Sequence, residues 1–221
     1  MCATSSDRLQ TVILPSYFSP RHPASLFDCT TIVQAALATS SATTFFNPTT
    51  IIANGSPETF VDGGFGANNP VFHVFNEARE TFRERCSFMP GQFRDHLACF
   101  VSIGTGLKSL EGCDPTDPLG IKTLLVSIAT ETEETQNNFS RSNPELLQDP
   151  KRFIRFNPTG LENIKMDQPE RKGDIERASR HYFTQGSFFD DITTCKRALE
   201  ADSWGVSESK FIDIILFMLL A

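Results

Sequence analysis

The chain has 221 residues, with 20 Lys and Arg against 27 Asp and Glu and an apolar fraction of 39%. At about this size roughly 70% of the unfolded surface is removed from water, so a sizeable core is expected. A net charge of −7 without any run of Lys or Arg argues against a nucleic-acid partner, whose phosphates need clustered cations, and leaves apolar contact as the way onto a membrane.

Apolar runs alternate with helical periodicity along the chain, which is the pattern of a layered α/β protein. Val12 to Leu14 reads as a short strand. After a Pro-rich turn, a small-residue helix is predicted from about Thr31 to Ser41, its alanines implying close packing. Phe60 and Val61 close a strand that enters Asp62-Gly63-Gly64, a turn whose glycines can take positive φ without steric cost. The clearest helix follows, capped by Asn69 with Pro70 at its first position, and Val71, Val74, Phe75, Ala78 and Phe82 share one buried stripe. Leu97 to Ile103 is a continuous apolar run ending in Gly104-Thr105-Gly106, as expected of a central strand buried on both faces. Asp117 and Pro118 open a helix carrying Ile121, Leu124, Leu125 and Ile128, which is expected to fade into the polar stretch Glu131 to Asn138. Phe153 to Phe156 is a strand, and two weaker amphipathic helices follow near Asp174 to Phe183 and Phe189 to Leu199.

The six cysteines (Cys2, Cys29, Cys86, Cys99, Cys113 and Cys195) form no C-x-x-C pair and have no histidine at zinc spacing. His22, His73, His96 and His181 are dispersed as well, so no metal is expected, and the cysteine usage fits an intracellular, cytoplasmic compartment. No charged start followed by an apolar stretch marks a secretory signal. The apolar run Phe211 to Ala221 is shorter than the 17 or so residues that span a bilayer. Nothing in the sequence fixes the oligomeric state.

Taken alone, D-G-G is a weak signal, because an Asp before Gly bonds its own backbone in many turns. Its context is more specific. A-T-S-S-A-T-T-F-F-N-P at Ala38 to Pro48 lies upstream, D-G-G-F-G-A-N-N-P spans Asp62 to Pro70, and F-V-S-I-G-T-G spans Phe100 to Gly106. In order and spacing these segments resemble the patatin-like phospholipase family, particularly its fungal members, and Arg155-Phe156-Asn157 and Gly160-Leu161 extend the resemblance over about Ser16 to Leu199. Leu37 and Thr43 depart from it, standing where the family usually has Arg and Pro.

The resemblance implies part of a three-layer α/β/α domain over residues 1–205, lacking its N-terminal nucleophile-elbow portion and followed by an apolar tail over residues 206–221. It implies acyl-ester hydrolysis by a Ser–Asp dyad, with Asp62 as general base on its Gly63-Gly64 turn and a lipid acyl ester as substrate, met through transient contact with a membrane surface. No cofactor is implied. The serine belongs in a G-x-S-x-G elbow with a glycine-rich oxyanion loop, and neither motif occurs in these 221 residues. Ser56 and Ser187 each lack the second glycine, and Ser102 lies within a strand. The chain therefore reads as the C-terminal part of a lipid acyl hydrolase, inactive alone. The competing expectation is a non-catalytic remnant that binds lipid or another polypeptide. The Gly104-Thr105-Gly106 loop lacks the following Lys of a phosphate cradle. The strand at Leu97 to Ile103 is expected to present a bare edge, which would promote association.

Overall fold

The computed structural model describes residues 1–43, 45–86, 92–106, 121–161, 164, 168–201 and 214–219. It is an α/β protein, and it divides into two compact units, Met1–Pro70 and Val71–Ala221.

The first unit is a four-stranded antiparallel sheet with short helices. Its strands are β1 (Cys2–Ser5), β2 (Gln10–Ile13), β3 (Thr49–Ala53) and β4 (Ser56–Val61), in the order β2-β1-β4-β3. β3 and β4 are joined by Asn54-Gly55, both at positive φ (52° and 77°), the two-residue turn whose twist matches that of the flanking strands. Helix α1 (Ala24–Cys29) precedes α2 (Ile32–Thr39), which starts on a capping box: the Gln34 amide donates to Thr31 Oγ1, and the Thr31 amide donates to Gln34 Oε1. Ala35 and Ala38 of α2 are buried with Ala3, Leu14, Leu26, Ile51 and Phe60, so the close packing expected of those alanines is present. A one-turn helix, α3 (Gly64–Ala67), follows β4.

The second unit is built on β5 (Leu97–Ile103), with β6 (Phe153–Phe156) parallel on one edge and β7 (Ile214–Leu219) parallel on the other. The central strand read from the apolar run is thus present, but the edge expected to be bare is filled by residues of the apolar tail. Helix α4 (Val71–Cys86) begins one residue after the predicted start. Its Val71, Phe75 and Ala78 are buried with Phe93, Leu97, Phe100, Phe139, Leu146 and Phe153, and Val74 and Phe82 pack against them. The rings interlock: Phe100 lies 5.7 Å from Phe139 and 5.2 Å from Phe153, and Phe139 lies 4.9 Å from Phe153. Phe93 comes from the short helix α5 (Gln92–Asp95).

Helix α6 (Ile121–Ser142) does not fade at Glu131 but runs on to Ser142. Among its described side chains Thr132, Gln136 and Phe139 are buried on one stripe that Asn143 continues just past its end, and three of these four are polar, which hides the helical period from an apolar pattern. Its predicted start at Asp117 and Pro118 lies outside the described residues. Helices α7 (Lys172–Phe183) and α8 (Gly186–Ala201) occupy the two weaker amphipathic segments. Cys195 and Ala198 of α8 pack with Cys99, Val101 and Ile103 of β5, so that strand is covered there as well as by the phenylalanine cluster.

Among the described residues no helix is long and apolar enough to cross a membrane.

Candidate functional site

Asp62 is half-buried just past the end of β4, and its position is set by hydrogen bonds to β1, to the last residue of α2 and to Ser41 in the loop that follows α2. Its amide donates to the Ser41 carbonyl (3.0 Å), the Gly63 amide donates to the Thr39 carbonyl (3.2 Å), and the Thr4 hydroxyl donates to the Asp62 carbonyl (3.0 Å). Thr39 also donates through its hydroxyl to the Cys2 carbonyl at 2.5 Å. The strand end is therefore fastened to β1 and to the C-terminal end of α2. The Gly64 amide donates to Asp62 Oδ1 at 2.6 Å, folding the carboxylate back over its own turn. That bond occupies one of about four lone-pair positions on a carboxylate.

The glycines do not serve the turn through positive φ. Gly63 lies at φ −61°, ψ −24°, and the described glycines with positive φ are Gly55, Gly106 and Gly160. What the site requires is the missing Cβ. A methyl on Gly63 would overlap the Cys2 carbonyl of β1, one on Gly64 would come within 2.9 Å of Asp62 Oδ1, and one on Gly66 within 2.5 Å of Thr11 Oγ1. The glycine signal in the sequence is real, but its cause is close approach of backbone and carboxylate.

The serines are placed for structure. Ser41 is buried, donating to the Leu37 carbonyl (2.6 Å) and bonded to Thr49 Oγ1 (2.9 Å). Ser5 is fully buried in β1, and its hydroxyl has no partner among the described residues. Ser56 opens β4, Ser187 lies in the first turn of α8, and Ser102 is buried in β5, accepting from Arg155 Nη1 at 2.9 Å. None of these five stands at an exposed strand-to-helix elbow.

The Gly104-Thr105-Gly106 loop is occupied by the protein's own side chains. The Gly106 amide, at φ 105°, donates to Asn157 Oδ1 (2.8 Å), and a methyl on Gly104 would overlap that same oxygen. Asn157 Nδ2 and Arg155 Nη2 both donate to Glu133 Oε1, at 3.2 and 2.9 Å. The loop thus closes a polar network across the C-terminal ends of β5 and β6 and the middle of α6. The sequence carried R-F-N only as part of the resemblance; its local role follows from strand register, which places Ser102 opposite Arg155.

Among the described residues no three His, Cys, Asp or Glu side chains gather as a metal cluster. Burial lowers the pKa of His73 on α4 from its ordinary value. Compared with protein-family models, with curated proteins and with solved structures, the chain matches none.

Proposed function

We propose that this chain is the C-terminal part of a patatin-like lipid acyl hydrolase, with a lipid acyl ester as substrate. Asp62 is the general base and Gly63 and Gly64 form its turn, while the nucleophilic serine and the oxyanion loop come from residues outside these 221. The observation that carries this reading is the Asp62 carboxylate itself: half-buried, fixed at a strand end by the Ser41, Thr39 and Thr4 bonds, and oriented by the Gly64 amide. A serine hydroxyl becomes an effective nucleophile when such a base takes its proton as Oγ attacks the ester carbonyl. The carboxylic acid then gives that proton to the departing alcohol oxygen as the acyl-enzyme forms. In the second step the carboxylate takes a proton from the attacking water and returns it to the serine as the fatty acid leaves, and no cofactor enters. The α/β/α layering of the family belongs to the same proposal, and the cover on both faces of β5 supports it.

A fluorophosphonate probe tests the assignment. These 221 residues alone should take up no label and hydrolyse no acyl ester above background. The protein extended by its upstream coding sequence should be labelled at the serine of a G-x-S-x-G, with the label lost in Asp62→Ala. Labelling within the present chain, or an extended protein without any labelled serine, would overturn the proposal.

The second reading, a non-catalytic binding remnant, draws on the apolar side chains that the first unit leaves in solvent. Ile32 is 80% exposed, Val33 67% and Phe46 64%, with Leu37 and Phe45 also exposed. It is the better account if the extended protein remains unlabelled.

A further inference from the structure

A buried cysteine is by itself inert packing. Cys99 on β5 and Cys195 on α8 differ because they are buried against each other. Their sulfurs are 3.8 Å apart, the residues are 1% and 6% exposed, and both are free thiols walled by Val101 and Ile154. The contact links positions 96 apart in sequence, a separation at which cysteine spacing gives no signal. A disulfide bond is about 2.05 Å long, so closing it asks each sulfur to move by about 1 Å.

We propose that Cys99 and Cys195 form a reversible intrachain disulfide that fastens α8 to the central strand β5 when a low-molecular-weight disulfide supplies the oxidising equivalents. One protein thiolate attacks a sulfur of the oxidant, breaking its S–S bond, forming a mixed disulfide and releasing one small thiolate. The second protein thiolate then attacks the protein sulfur of that mixed disulfide, forming the Cys99–Cys195 bond and expelling the second small thiolate. Two electrons pass to the oxidant, and the two protons given up by the cysteines end on the two small thiols.

The surroundings set the rate. Burial, with Cys195 beside it, pushes the Cys99 thiol up to about 12, and burial also raises Cys195, with the Asp191 carboxylate adding to the effect. Since the thiolate is the attacking species, the closed pair is protected, and reaction waits for α8 to lift from the sheet. The Lys151–Asp191 ion pair, 2.5 Å, holds α8 to the residues just before β6.

The test is oxidation of the folded chain at neutral pH with oxidised glutathione, followed by non-reducing peptide mapping. The expected result is a Cys99–Cys195 peptide, reversed by dithiothreitol, whose rate of appearance levels off as glutathione disulfide is raised because α8 opening becomes limiting. The cross-link closes a long loop and should raise Tm by about 10 °C. Cys195→Ala should abolish the cross-linked peptide, and the map of the unaltered chain decides the matter if that variant fails to fold. Exposed Cys29 should take up glutathione without delay, which confirms that oxidant is present. Absence of the Cys99–Cys195 peptide while Cys29 reacts, its appearance only in denaturant, or a fall in Tm on forming it would overturn the proposal.

Discussion

The two units hold themselves together with different material. The first closes on three alanines, two leucines, one isoleucine and one phenylalanine, and its backbone segments approach closely enough that a methyl on Gly63 or Gly66 would collide with a neighbour. The second closes on five buried phenylalanines with Val71, Ala78, Leu97 and Leu146, and Phe72 and Phe82 pack against them. Large rings bury more apolar surface per residue and add edge-to-face contacts, so the second unit draws its stability from area. The first has a core of smaller side chains, and its segments are positioned by hydrogen bonds and by close backbone approach. A carboxylate that must be placed to within a fraction of an ångström is better positioned by the second means than by a pile of rings. Asp62 lies in the unit where backbone, rather than bulk, sets position.

The largest effect that sharpens this contrast is Phe100→Ala. The ring touches Phe75, Phe139 and Phe153 at the centre of the second unit, so its removal should cost about 3 to 5 kcal/mol in denaturant unfolding. A loss below about 1 kcal/mol would show that the cluster is not the chief source of stability there. Gly63→Ala should act through the first unit, with a smaller cost of about 1 to 3 kcal/mol from overpacking. The new methyl meets a main-chain carbonyl in β1, which cannot swing aside as a side chain can. Hydrogen exchange on the variant should show lost amide protection in β1 and β4, with β5 unchanged. Equal protection in parent and variant would mean that the turn has room the structure does not show.

Much of the second unit is legible in the sequence because its elements obey simple periods. The continuous run at Leu97 to Ile103, the stripe from Val71 to Phe82 and the strand at Phe153 each bury apolar side chains in the pattern of their secondary structure. The exceptions have physical reasons. The latter half of α6 buries Thr132 and Gln136 along with Phe139, and Asn143 is buried just past its end, which an apolar period does not register. The pairing of Ile214–Leu219 with β5 is a long-range choice that local pattern leaves open. In the first unit β1 carries only four residues, C-A-T-S, too few and too mixed to stand out. The β3–β4 hairpin does carry a local signal, since Asn54-Gly55 is a strong two-residue turn pair, but the mixed strands on either side of it do not stand out.

The candidate site was legible in a different sense. Asp62, Gly63 and Gly64 were singled out by motif, whereas the partners that hold them, Thr4, Thr39 and Ser41, are ordinary residues whose roles exist only once β1, β4 and α2 are brought together. The conformational freedom of Gly63 and Gly64 is not what the turn uses, since the glycines answer to crowding and not to positive φ. The six-member cysteine list showed no pairing because nothing in the spacing of Cys99 and Cys195 predicts that a strand and a distant helix will meet.

The claim that Asp62 is a base and not only a turn residue is tested most directly by Asp62→Asn in the protein carrying its nucleophile. The amide side chain keeps an oxygen to accept the Gly64 N–H, so the turn survives, while the capacity to take a proton from serine is lost. The account predicts a fall of about 100-fold or more in kcat for acyl-ester hydrolysis, with Tm unchanged. Activity within about threefold of the parent would contradict it and leave Asp62 the role that Asp before Gly has in many turns.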